Sequence, residues 1–186
     1  MNGLGLNIFL SLLLAMVSCA VLGVVIERVA YKPLRRSTRV AALITAIGVS
    51  FLLENVMSYL FGAEIRPFPS DFGTTNYTLF GNITINGKQI LIFATTVILM
   101  ALLQFIVHYT KMGKAMRAVA VDEDAAQLMG IDVDQVISFT FALGSSLAGI
   151  AGVLVALYYN TFSATMGIVP GLKAFVAAVL GGIGSI

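Results

Sequence analysis

The chain has 186 residues, 59% of them hydrophobic and 11% charged, and a mean hydropathy of +0.97. About a quarter of a soluble domain is charged, so these residues cannot cover an apolar core with a polar surface, and lipid must form part of the solvent. A net charge of +2 gives no electrostatic footprint for nucleic acid, and the single cysteine excludes a disulfide framework within the chain.

A helix needs about 20 apolar residues to cross the hydrocarbon of a bilayer. The first such run is Leu6–Ile26. It contains Met16-Val17-Ser18-Cys19, a loose match to a lipoprotein cleavage box. No Lys or Arg precedes the run, and Val21-Leu22-Gly23-Val24-Val25-Ile26 continues it past the cysteine. Cys19 therefore reads as a helix residue. A basic loop follows, with Arg28, Lys32, Arg35, Arg36 and Arg39.

The second run, Val40–Phe61, carries Thr45 near its start and Glu54 and Asn55 toward its outer half. A charge near a helix centre costs about 2.5–3.5 kcal/mol on insertion scales. Glu54 must then face other helices, carry a proton or reach interfacial water. It reads either as a lining or gating residue or as a partner in a helix–helix hydrogen bond; Asn55 suits the second use better.

The loop over residues 62–89 has only Arg66 and Lys88 as basic residues. Pro67 and Pro69 make Arg66–Ser70 extended. Asn86-Gly87, between Ile83-Thr84-Ile85 and Lys88-Gln89-Ile90, predicts a hairpin with a type I′ turn. The stretch from Gly81 to Lys88 is no phosphate loop, because Gly81 and Gly87 have the wrong separation and Gln89 stands where Ser or Thr is needed.

The third run, Ile90–Val107, leads into His108, the lone histidine, which reads as an interfacial anchor beside Tyr109 and Lys111. The next loop holds Lys111, Lys114 and Arg117. Eight of the eleven basic residues thus lie in two loops that alternating spans place on one side. Positive charge marks that side as the cytoplasm and puts the N-terminus outside.

Residues 111–135 of this loop are densely punctuated. Asp122 suits a helix N-cap, and Glu123 and Asp124 fall where the helix dipole favours anions. Ala125-Ala126-Gln127-Leu128-Met129 are strong helix formers. Gly130 suits the left-handed position that ends a helix, and Asp132 with Gln135 forms a capping box for the next span. The prediction is a short helix held at the membrane surface. It is either an idle interfacial helix or a helix that docks in a partner's groove through Leu128 and Met129.

The fourth run, Val136–Tyr158, has a row of small residues in which Ser145/Gly149 and Ala148/Gly152 repeat at four-residue spacing. Such spacing lets helix backbones approach closely in lipid, for packing or for a moving, pore-lining helix. The fifth run, Leu172–Ile186, stops without a charged flank and reads as partial. No Cys/His cluster or nucleophile–base pair is present, so nothing argues for an enzyme, a metal or a cofactor.

Asp124-Ala125-Ala126-x-x-x-Gly130 resembles the EAA-x3-G loop of ABC importer permeases, with Asp in place of Glu and without the Leu-Pro that ends the general signature. Tyr31-Lys32-Pro33-Leu34-Arg35, Leu43 through Ser50, Gly113 through Ala118, Phe139 through Gly144 and Pro170 through Ser185 are similar to LivH-type branched-chain amino acid permeases. The resemblance covers nearly the whole chain in the family's order. The family has further apolar segments on both sides, so residues 1–186 are expected to be one permease domain truncated at both ends.

The resemblance implies an all-α integral membrane protein, a polytopic transmembrane helix bundle with about four full spans plus a partial or re-entrant fifth. It implies the membrane-spanning subunit of an importer in the bacterial inner (plasma) membrane. Its partners would be a second permease chain, cytoplasmic ATPase subunits, an external substrate-binding protein and lipid. The ATPase-coupling helix would comprise Asp122, Glu123, Asp124, Ala125, Ala126, Leu128, Met129 and Gly130. Thr45, Glu54, Asn55, Ser145 and Gly149 are candidates for the translocation path. Similar permeases serve urea or short amides, and an ion-gradient-driven transporter, a channel or a membrane scaffold stand as other classes.

Overall fold

The computed structural model describes residues 8–34, 39–67, 76–79 and 83–180. Seven α-helices account for most of them: α1 (Ile8–Ile26), α2 (Arg39–Phe61), α3 (Gly87–Tyr109), α4 (Lys111–Val121), α5 (Glu123–Leu128), α6 (Val133–Tyr159) and α7 (Ile168–Leu180). Four segments are long and apolar enough to cross a membrane: Leu10–Leu34, Ile44–Phe61, Gly87–Tyr109 and Val133–Tyr159. These correspond to the four expected full spans. Of the fifth, the described part is α7. α7 has 13 residues, about 20 Å at 1.5 Å per residue, against about 30 Å of hydrocarbon. The expected continuation to Ile186 lies outside the described residues.

The backbone of the fold is the antiparallel pair α1 and α6. Small residues set their approach. A Cβ on Gly23 would sit 2.0 Å from Ser145 Oγ, and one on Gly149 would sit 2.8 Å from the Ala15 carbonyl and 3.0 Å from Cys19 Sγ. Lipid gives no hydrophobic drive for two helices to associate, so close backbone packing of this kind must hold them. Ile150, Leu154, Ala156 and Leu157 of α6 are buried, whereas Leu13, Leu14, Phe51, Phe93 and Phe105 point outward, as suits helices bathed in lipid.

α1 does not end at Ile26. It passes into a π-helical turn, Glu27–Tyr31, and then a single 3-10 turn, Lys32–Leu34. The Lys32 N–H donates to the Glu27 carbonyl, closing the wider ring. α2 touches this turn. Its far end is fixed differently: Gly62 at φ +86° donates its N–H to Ser58 O at 2.9 Å, and Arg66 Nη2 donates to Phe61 O at 2.6 Å. The short strand β1 (Arg66–Pro67) then pairs antiparallel with β4 (Thr161–Phe162), just beyond α6.

The second ribbon corrects the sequence expectation. Strand β2 (Asn76–Leu79) pairs with β3 (Ile83–Asn86), Asn76 opposite Asn86 and Leu79 opposite Ile83. Asn86 thus lies at the end of the paired strand β3 and Asn86-Gly87 is not the hairpin turn; the residues that join β2 to β3 lie outside the described residues. Asn86, extended at φ −76° and ψ 134°, is instead the N-cap position of α3, which starts at Gly87. The dipeptide that favours a tight turn also favours a helix start, and the apolar run from Ile90 draws Lys88 and Gln89 into the helix.

Candidate functional site

The densest local structure lies at the basic end, between α3 and α6. Thr110 closes α3 and opens α4: its Oγ1 accepts from the Gly113 N–H at 3.0 Å and donates to the Ile106 carbonyl. Gly113 lets α4 fold back. A Cβ there would be 2.3 Å from the carbonyl oxygens of Ile106 and Val107. Arg117 Nη2 donates to His108 O at 3.3 Å, adding a second strap. α4 shows the inside/outside division of an interfacial helix: Met112, Gly113, Met116 and Val119 turn inward, while Lys111, Lys114 and Arg117 are exposed.

Asp122, at φ −153° and ψ 111°, ends α4 and begins α5. Its Oδ1 accepts from the Ala125 N–H at 3.0 Å. Glu123 and Asp124 occupy the first turn, as the dipole favours. Gly130, at φ +82°, closes the helix: its N–H donates to Gln127 O at 3.0 Å, and the Ile131 N–H donates to Ala126 O at 3.1 Å. This pair of bonds is a Schellman closure. Asp132 then starts α6, its Oδ1 accepting from the Gln135 N–H at 3.2 Å and its Oδ2 from Gln135 Nε2 at 2.8 Å. The Gln135 side chain closes the expected box on the carboxylate, not on the Asp132 N–H.

Six residues of helix thus carry a cap at each end and pass directly into a capped span. Ala126 is buried at 4% exposure, and α5 touches α6, whose Val133 and Val136 are also buried. Leu128 and Met129 face out at 89% and 83% exposure, beside Val121 at 89%. The helix is capped at both ends and presents bare apolar side chains away from its own fold.

The candidate path residues separate into two places. Glu54 is half-buried in a cleft of about 840 Å³ between α2, α6 and the segment leading into α7. Ile47, Ser50, Met57, Ala148 and Leu172 complete its walls. Thr45 and Asn55 share α2 but bond to their own helix, Thr45 Oγ1 donating to Ala41 O at 2.9 Å and Asn55 Nδ2 to Phe51 O at 2.7 Å. Ser145 and Gly149 lie elsewhere, pressed against α1.

One further cluster lies where α1 meets the start of α6. Glu27 is fully buried, and Ser138 Oγ donates to its Oε2 at 2.7 Å. Lys32 pairs with Asp134 at 2.7 Å, and the Tyr31 and Phe141 rings are 5.0 Å apart. Glu27 follows an apolar run inside a basic stretch, where a flanking charge is ordinary, so the sequence carries no signal of its burial. Among the described residues no group of His, Cys, Asp and Glu could hold a metal ion.

Fold and site together define a multi-pass helical membrane protein with a capped surface helix between two spans. The chain belongs to the branched-chain amino acid transport system permease component family, whose model matches residues 1–186. It is 41% identical over 175 residues to the high-affinity branched-chain amino acid transport system permease protein LivH of Escherichia coli, covering 92% of this chain and 57% of that protein. It is 40% identical to the corresponding permease protein BraD of Pseudomonas aeruginosa, over 88% of this chain and 54% of that one. A ribose import permease protein of Haemophilus influenzae is 30% identical over 77% of the chain and 44% of its own length. The chain therefore spans a little over half the length of the branched-chain permeases it matches. No solved structure was found to match it.

Proposed function

We propose that this chain supplies the membrane-spanning part of an ABC importer for branched-chain amino acids and that α5 is its coupling helix to a separate ATPase. The observation that carries the reading is the mounting of α5. It is capped by Asp122 and Gly130, seated on buried Ala126, and turns Leu128 and Met129 outward. Apolar anchors on a rigid helix suit insertion into a partner's groove. The names of the relatives support the substrate class.

In this reading the basic end, with Arg28, Lys32, Lys111, Lys114 and Arg117, faces the cytoplasm of a bacterial inner membrane. A second permease chain and an external binding protein complete the transporter, and ATP is hydrolysed in the partner. The cleft around Glu54 is the path segment this chain contributes. Its single carboxylate among aliphatic walls suits a substrate with an ammonium group and an apolar side chain. Ser145 and Gly149 serve the path indirectly, by setting the α1–α6 distance.

The test is coupling in the complete transporter. Ala126→Glu buries a charge under α5, and Gly130→Pro removes the Gly130 N–H from the closure. Both variants are expected to lose ATPase co-purification and substrate-stimulated hydrolysis while still inserting in the membrane. Normal stimulation and uptake in both would remove α5 from the interface.

A further inference from the structure

Glu27 is the fully buried charged side chain among the described residues. A buried carboxylate is costly unless donors hold it, and here Ser138 of α6 is one donor, at 2.7 Å. The acceptor opens a π-helical turn. Such turns are rare in helices and concentrate at functional positions. The residues after Glu27 grip the same stretch of α6, Tyr31 through the Phe141 ring and Lys32 through Asp134. The Lys32–Asp134 pair is exposed on both sides, at 54% and 52%, and contributes little alone. The Glu27–Ser138 bond is buried on the Glu27 side and is therefore more sensitive to how α1 and α6 are arranged.

The location gives the bond its use. The Gly130 closure ends α5 and the Asp132 cap opens α6 two residues later, and the two helices touch, so a displacement of α5 is passed along a short stretch of backbone to the first turns of α6. Those turns carry Asp134 and Ser138. On the other side, the π-helical turn continues α1 and touches α2, the helix that bears Glu54. A cleft of about 420 Å³ between Arg28, Met112 and Gln135 leaves room beside the joint for the parts to shift.

We propose that Glu27 is a positioning residue for transport, its bond to Ser138 passing displacement of α5 and α6 to α1 and α2. The proposal rests on the reading of α5 as the ATPase-docking helix. Contact alone does not establish coupling, so the test is a double-mutant cycle read on coupling itself.

Uptake and ATP hydrolysis are measured in parallel in the complete transporter for Glu27→Ala, Ser138→Ala, the double variant and Glu27→Gln. Each of the first two is expected to lower uptake per ATP hydrolysed about fivefold or more, with the ATPase still co-purifying. The double variant should be no worse than the worse single one. Glu27→Gln keeps an acceptor for Ser138 and should retain most of the coupling. If Glu27→Ala does not fold, Ser138→Ala and Glu27→Gln still decide. An unchanged ratio in Ser138→Ala, effects that multiply in the double variant, or joint loss of uptake, hydrolysis and assembly would overturn the proposal. Failure of the ATPase to co-purify with the unaltered permease would instead sink the α5 reading, and this proposal with it.

Discussion

Gly149→Ala tests the α1–α6 packing, the most extensive helix pairing among the described residues. The added Cβ would lie 2.8 Å from Ala15 O and 3.0 Å from both Cys19 Cβ and Cys19 Sγ. Ordinary carbon contacts are about 3.5–4.0 Å, so α1 and α6 must part by about 0.5–1 Å. The obstacle at Ala15 is backbone and cannot rotate away. A gap of that size forfeits about a quarter to a half of each dispersion contact along the interface, and overpacking costs about 1–3 kcal/mol. That is a shift of about 5- to 150-fold in the equilibrium between packed and parted helices.

Cys19 reports the shift directly, because it is the chain's single cysteine and sits half-buried at the crossing. Maleimide labelling of Cys19 in mild detergent is expected to accelerate by that factor in Gly149→Ala. Gly152→Ala is the control, since a Cβ there meets nothing within 4 Å, and its labelling should match the unaltered chain. Equal labelling and equal unfolding in Gly149→Ala would refute close packing at this crossing.

Gly113→Ala is expected to be harsher than Gly149→Ala, because both obstacles, at 2.3 Å, are carbonyl oxygens of α3; α4 should leave α3, seen as faster amide exchange across residues 111–121. Asp122→Ala removes the α5 cap and should cost about 1 kcal/mol, read as roughly fivefold faster exchange at the Ala125 amide, with the spans unaffected.

The four spans were legible because twenty-odd apolar residues have few other destinations. The ends of α5 were legible too, since Asp122, Gly130, Asp132 and Gln135 act within one turn of themselves. Asn86-Gly87 misled for the same reason it was noticed: a short polar pair satisfies both a hairpin turn and a helix start, and only the pairing of β2 with β3 decides. α4 was readable in Met112, Met116 and Val119 at helical spacing, but its basic residues drew notice as charge and not as a face. Glu27 could not be found this way. The Ser138 donor lies 111 residues along the chain, and nothing near Glu27 records it.

The small residues of α6 show what pattern alone leaves undecided. Ser145 and Gly149 meet α1, Ala148 lines the Glu54 cleft, and a Cβ on Gly144 or Gly152 touches nothing within 4 Å. Residues of one chemical kind on one helix thus serve different faces, because each step along an α-helix turns about 100°. The faces are not independent. A displacement of α6 along the Ser145–Gly149 seam moves Ala148 relative to α2 and changes the cleft around Glu54. The seam begins beside Ser138, close to the cap that joins α6 to α5. α6 thus runs between the two places: it starts at the Asp132 cap, two residues after Gly130 closes the helix that presents Leu128 and Met129, and it carries Ala148 into the wall of the cleft that α2 and α7 form around Glu54.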